Sequence, residues 1–485
     1  MLTNNSFIVA LILPLIFSLP FAQGQENNRN QLPEIGASGF SALSIEKERQ
    51  IGNIMMRQLR ASQPLINDPV LVEYINDLGN RLVRNAEDVN YSFEFFLINN
   101  KELNAFAFFG GHVGIHGGLI TAADTESELA SVIAHEISHV TQRHLARRMA
   151  AQSRTQPLSM AGLITGVLLT LVNPTVGMAA LSTSIAASTQ MGINYTRGNE
   201  KEADRVGIAL LANSGFNPMG APNFFTKMAE KYRYQSKPPA MLLTHPLPES
   251  RISDARLRAQ NLPSRPEIPS LAFELTKARL VARYEGNPRD NIKKYQRILS
   301  KNQYVIKEAA LYGLAISYYE NKNFQQAVDI LQVLRQKDEN NLFYADVLTD
   351  SLIALQNFAL AIKMMSELDL LMPNNQVVAL NYANVLAEAK QYQKAELILQ
   401  DFIILNQNHY IANDLLMTVY RKQEKFALMH ATKGEIYALL GAYAKAIDEL
   451  QTGYNFVEDN PLEKKRIRAR ILQFQSQQDK LQRLN

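Results

Sequence analysis

Three alanines, Ala327, Ala361 and Ala395, stand 34 residues apart, and each follows an aromatic side chain by three positions: Phe324, Phe358 and Tyr392. A period of that length means a repeated pair of helices. One such pair cannot bury its apolar face alone and must stack on the next, so the region folds as an all-α solenoid. The small alanine lets neighbouring helices pack closely, and Pro373 stands where the helix after Phe358 should end. Tyr443 with Ala446 repeats the signature 51 residues beyond Ala395, which predicts an irregular insertion between them. A degenerate first unit is expected over Leu271 to Ser300. Lys464, Lys465, Arg466, Arg468 and Arg470 near the chain end read as the solvated face of a capping helix rather than a nucleic-acid patch.

Pro263, Pro266 and Pro269 fall within seven residues and mark a domain boundary. Upstream of it, His135-Glu136-Ile137-Ser138-His139 has the HExxH spacing. On a helix this puts two imidazoles one above the other, able to reach one tetrahedral Zn2+, with Glu136 leaning toward a bound water that it can deprotonate. Thr125 and Glu128 have capping-box spacing, and Leu129, Val132, Ile133, Ile137 and Val140 follow helical period. The motif is therefore expected in mid-helix and half buried. A third histidine six residues after the second would indicate a metzincin, but that position is Leu145. His144 would lie roughly 140° around a continuous helix from His139 and is not expected to share its metal.

From Thr155 to Thr196 there is no Asp, Glu or His, so the first downstream ligand candidates lie in Glu200-Lys201-Glu202-Ala203-Asp204. Glu200 and Asp204 share one helical face, which suits a ligand and a carboxylate that orients a ligand imidazole. Glu202 points elsewhere and is expected to be solvated.

These residues, together with Asn104-Ala105-Phe106-Ala107 before Gly110-Gly111 and Glu128-Leu129-Ala130, resemble the gluzincin family that includes the CAAX prenyl protease and HtpX. Phe109 departs from the proline many relatives carry there. A secreted peptidase domain followed by tetratricopeptide repeats is similar to envelope proteases of bacteria that assist assembly of outer-membrane β-barrel proteins. The resemblance implies zinc ligands His135, His139 and Glu200, catalytic Glu136, a supporting Asp204 and one Zn2+ per chain. It also implies that an edge strand of the peptidase domain binds substrate main chain.

The expected fold is mainly α: an α+β zincin-like peptidase domain with a small sheet over 23–265, then the tetratricopeptide solenoid over 266–485. Strands are expected at Tyr91–Ile98 and His112–His116. His112 and His116 are too far apart along a strand to share an ion and are expected at its surface or rim. The apolar run Phe7 to Ala22 reads as a secretory signal peptide, residues 1–22, cleaved after Ala22 or Gly24. The chain has no cysteine, which excludes disulfides, thiol chemistry and a lipoprotein anchor and is compatible with the periplasm. A net charge of +4 over 485 residues provides no global field for nucleic acid or acidic lipid.

The uncharged stretch 155–196 predicts a helical hairpin broken at Pro174, its arms too short to span a bilayer. Its expected place is beside the active site, with membrane-surface or client contact through 158–190 as the alternative. His245, the only histidine between His144 and His409, is a candidate fourth ligand that would displace the catalytic water and make the enzyme latent. Arg251 is a candidate to polarise the scissile carbonyl or to pair with a carboxylate. Two functions follow. One is a periplasmic zinc endopeptidase for misfolded or stalled envelope proteins, whose repeats hold clients or the β-barrel assembly machinery. The other is a repeat-based chaperone or scaffold with an inactive metal site.

Overall fold

The computed structural model describes residues 43–153, 197–233, 239–263 and 265–482. The expected signal peptide, the uncharged stretch 155–196 and its 158–190 contact segment lie outside these residues. Among the described residues no helix is long and apolar enough to cross a membrane.

The peptidase part begins with two long helices, α1 (Ile45–Ser62) and α2 (Pro69–Val83). Asp68 caps α2 by accepting from the Leu71 N–H, and Pro69, whose fixed φ suits a first helical turn, starts it. A sheet of four strands follows in the order β1 (Leu65–Ile66), β2 (Glu94–Ile98), β4 (His112–His116), β3 (Ala105–Phe108). β2 and β4 run parallel, and β3 pairs antiparallel with β4 as a sheet edge. Gly110 and Gly111 make the β3–β4 turn with φ of 81° and 85°, a conformation that favours glycine. Next come α3 (Gly117–Ala122), α4 (Glu126–Thr141) and α5 (His144–Ser153), then α6 (Arg197–Asn213), α7 (Gly220–Tyr232), α8 (Ala240–Thr244) and α9 (Glu249–Gln260).

His112 and His116 are not at the sheet surface. Both are buried, His112 stacked on Phe108 with its Nδ1 3.1 Å from Glu94, and His116 edge-on to Phe106. Helices cover β4, and its imidazoles find aromatic partners there.

Twelve helices occupy Leu271 to Gln482 among the described residues. The first, α10 (Leu271–Tyr284), serves two cores: Phe273 and Leu280 enter the peptidase core, while Leu275, Ala278 and Ala282 face the solenoid. It pairs with α11 (Pro288–Ser300) as the expected degenerate unit. The pairs that follow are α12 (Lys307–Glu320) with α13 (Phe324–Lys337), α14 (Leu342–Ala354) with α15 (Phe358–Leu371) and α16 (Gln376–Glu388) with α17 (Tyr392–Leu405). Ala327, Ala361 and Ala395 are fully buried between them.

The insertion expected before Ala446 does not exist. Helices α18 (Tyr410–Lys422), α19 (Phe426–Leu439) and α20 (Tyr443–Asn455) continue the array, and α21 (Pro461–Gln482) ends it. Turn residues with positive φ recur at Lys322, Gln356, Lys390 and Glu424 without a break, and Gly441 makes another. The alanine signature disappears because Met429 stands 34 residues after Ala395, and the signature at Tyr443 falls half a repeat out of phase. Close packing there passes to glycine: a Cβ on Gly434 would lie 3.1 Å from the Ala446 carbonyl, and one on Gly453 3.0 Å from that of Ala427.

Candidate metal centre

Helix α4 starts with Thr125 accepting from the Glu128 N–H, while Glu128 Oε2 accepts from the Asp124 N–H. The half-buried expectation is overturned, since every residue from Ser127 to Thr141 is buried. Such a helix tolerates polar side chains only where they are partnered. Its partner is α6. At Gly207 the helices come so close that a Cβ would lie 3.1 Å from the His135 nitrogen and 3.2 Å from its Cα. One and two turns earlier on α6, that approach carries Asp204 and Glu200 to the imidazoles.

His135 Nε2 and His139 Nε2 are 3.0 Å apart, and Glu200 lies 3.5 Å from each. His245, on the loop after α8, brings Nδ1 to 3.4 Å from His135 Nε2 and 3.1 Å from Glu200 Oε1. Four ligands at the usual zinc bond lengths around a tetrahedral centre lie roughly 3.3–3.5 Å apart. The donor atoms of His135, His139, Glu200 and His245 can therefore hold one metal ion, and all four residues are buried. Glu136 is fully buried beside them, with His245 Nε2 3.5 Å from Oε1. Its carboxylate also meets the Ala107 backbone of β3.

The electrostatics follow from this crowding. Burial pulls the His135 imidazole down, but Asp204, with Oδ1 3.1 Å from His135 Nδ1, and Glu200 outweigh it and raise the pKa to about 10. Burial and the neighbouring His135 charge hold His139 well below its ordinary value. Burial pushes Glu136 up. Glu200 is buried too, yet the facing imidazoles, His245 first among them, keep it well below the usual carboxylate range.

Arg251, on α9, grips Asp204 with Nε and Nη2 at 2.7 and 2.8 Å and places Nη1 2.8 Å from Glu200 and 2.7 Å from the Pro246 carbonyl. Of its two anticipated roles, the geometry shows the carboxylate pairing. The guanidinium also holds the backbone next to His245.

Two residues lie closer to the centre than their spacing suggests. His144 Nδ1 is 2.8 Å from His139 Nδ1, and His144 Nε2 is 3.0 Å from Glu202 Oε2. His144 stays outside the group that can hold the metal, as expected, but not at 140° around one helix: α4 ends at Thr141 and Arg143 turns with φ of 53°, so that His144 opens a new helix directed back at His139. Glu202 is not simply solvated, because it receives both His144 and Arg147. The signal that was present is a histidine and an arginine three residues apart opposite an otherwise unassigned glutamate.

The edge strand β3 packs beside α4, and all four of its residues are buried. A small cavity lined by Ala107, Phe108, His139, Val140, Leu145 and Ala146, among others, lies at its end.

Residues 70–259 match the family described as Peptidase family M48. The β-barrel assembly-enhancing protease of Yersinia pestis is 41% identical over 483 residues, covering 99% of this chain and 98% of its own. The putative β-barrel assembly-enhancing protease of Vibrio cholerae is 43% identical over 456 residues, 94% of each chain. A solved tetratricopeptide repeat protein from Parabacteroides merdae aligns with 50% of this chain and 97% of its own at 15% identity, with a TM-score of 0.29, too low to bear on the fold.

Proposed function

Because the chain is a metallopeptidase of the M48 family and belongs, over nearly its whole length, among the β-barrel assembly-enhancing proteases, we propose that it is a zinc endopeptidase of the bacterial periplasm. On this reading it degrades misfolded or stalled envelope proteins, and its repeats engage outer-membrane β-barrel clients or their assembly machinery. The observation that carries the reading is the convergence of His135, His139 and Glu200 at ligand spacing with the fully buried Glu136 beside them.

Two imidazoles, a carboxylate and an exchangeable fourth position suit Zn2+, which when bound polarises a carbonyl and acidifies water. The chain's own groups do the rest. Asp204 on His135 Nδ1 holds that ring so that Nε2 faces the ligand cluster. Glu136, its proton affinity raised by burial, takes a proton from the attacking water and delivers it to the amide nitrogen as the C–N bond breaks. Substrate main chain adds to β3, whose backbone bonds demand little sequence. Leu370 and Leu371 and, one repeat on, Ile404 and Leu405 are exposed apolar side chains at the ends of α15 and α17, the second helices of successive repeats, a surface suited to unfolded or partner segments.

His245 supports a latent state, since it stands among the ligands and against Glu136, where water and substrate must enter. The same imidazole favours the second reading, a scaffold with a permanently blocked site. Zinc content and degradation of an unfolded β-barrel client separate the two. Glu136→Gln should keep its zinc and lose about 10²- to 10⁴-fold in rate, and His245→Ala should raise the rate several-fold. Equal degradation by wild type and Glu136→Gln, or no gain in His245→Ala with intact folding, would remove the enzymatic or the latent reading respectively.

A further inference from the structure

Helix α6 presents three carboxylates, Glu200, Glu202 and Asp204, and two of them have an evident place: Glu200 faces the ligand atoms and Asp204 the outer nitrogen of His135. The outer nitrogen of His139 meets another imidazole instead. His139 and His144 are both buried, their rings at 75° with Nδ1 atoms 2.8 Å apart, and two ring nitrogens at that distance must share one hydrogen. On the reading proposed above, on which this inference rests, the lone pair of His139 Nε2 belongs to the metal. His139 Nδ1 then carries the hydrogen and donates to His144 Nδ1. The remaining hydrogen of His144 sits on Nε2 and points at Glu202 Oε2, 3.0 Å away, an oxygen that also accepts from Arg147 Nη1 at 3.0 Å. Each tautomer in this chain follows from the one before it.

The backbone supports the arrangement. Arg143, in its left-handed turn, donates through Nε and Nη2 to Glu48 of α1 and through Nη2 to the Leu43 carbonyl, which anchors the start of α5 and with it the His144 ring.

We infer that His144 and Glu202 are positioning residues for the metal ligand His139, fixing its tautomer and ring orientation through an imidazole relay, as Asp204 does directly for His135. The relay moves no atoms during turnover. It holds Nε2 aimed at the metal and raises its basicity, for which outer partners typically account for 10- to 100-fold in metal affinity.

Three full-length variants test this against wild type, with zinc affinity measured by chelator competition, the visible spectrum of the cobalt-substituted protein, and the melting temperature of the metal-free form. His144→Asn keeps an acceptor where Nδ1 stood, His144→Gln keeps a group near Nε2 but loses that acceptor, and Glu202→Gln removes the terminal charge. The expected order of zinc affinity is wild type, then His144→Asn and Glu202→Gln, then His144→Gln, which should bind about 10- to 100-fold more weakly than wild type. The cobalt spectrum should shift most in His144→Gln, while the two His144 variants, having lost the same ring, melt alike without metal. Equal zinc affinity in His144→Asn and His144→Gln, or a Glu202→Gln affinity equal to wild type, overturns the relay while leaving the zinc site standing. Wild type that binds no zinc overturns the metal reading itself and this one with it.

Discussion

His116 shows how burial outweighs a single backbone hydrogen bond, the one it makes with Glu102. It is 1% exposed on β4, and burial pulls its pKa down to about 4. In the unfolded chain it returns to about 6.5. Between these values the unfolded state binds the extra proton, so the folded state is not penalised above about pH 6.5 and loses stability as pH falls toward 4. At pH 5 the loss amounts to about 2 kcal/mol. His116→Phe keeps an aromatic ring against Phe106 without the titration, so its melting temperature should drop less than that of wild type between pH 7 and pH 5. Parallel slopes for the two proteins would count against this account. At the candidate metal centre every imidazole instead faces a carboxylate or a second imidazole, and Arg251 neutralises the buried pair Asp204 and Glu200.

At the scale of elements, the centre depends on how closely α4 and α6 approach. Gly207 sets that distance, because any side chain there meets the backbone of Ala134 and His135 at 3.1–3.3 Å. Gly207→Val should therefore push α6 outward, withdraw Glu200 and Asp204 from the imidazoles and cost about 1–3 kcal/mol through overpacking. Zinc stoichiometry by atomic emission should fall well below one per chain, and a variant that retains full zinc at wild-type stability would show that the contact is not what positions the carboxylates. The solenoid makes a related point. Its period survives the loss of the alanine at position 429 because the 16- to 19-residue interval between helix starts and the left-handed turns persist, while glycines take over the close contacts.

For the whole molecule, the peptidase part and the repeats are joined by a buried charged cluster. Arg279, fully buried on α10, donates to Asp68 at the cap of α2, to Asp346 on α14 and to Tyr312 on α12, at 2.7, 2.6 and 2.8 Å. Asn381 completes Asp346 at 2.8 Å, and Tyr284 and Arg283 also face Asp68. Further along, Asn375 donates to Glu73 and Gln376 to the Pro69 carbonyl, and Arg57 of α1 meets Tyr443, nearly four hundred residues away in sequence. Arg279→Met would take the paired cation from Asp346 and leave Asp68 only the more distant Arg283, a loss of about 3–5 kcal/mol. Thermal unfolding should then show the two parts separating, with earlier protease cleavage near 263–270. A single transition at the wild-type temperature would mean that the apolar contacts of α10 and the outlying polar contacts hold the parts together without Arg279.

Legible in the chain's residues alone are the HExxH helix, the carboxylates of α6 as its first downstream ligand candidates, and the helical repeat. Each of these is written in local spacing, which helix geometry converts directly into a shared face. Tertiary structure decided the rest. The end of α4 and the left-handed Arg143 turned His144 onto His139, a contact that a continuous helix forbids. Packing buried α4 from Ser127 to Thr141, brought His245 from more than a hundred residues away to within 3.4 Å of His135 and 3.1 Å of Glu200, and directed Arg251 to carboxylates. The insertion read before Ala446 vanished because the period resides in helix length and turn conformation, which outlast the residue that first revealed it.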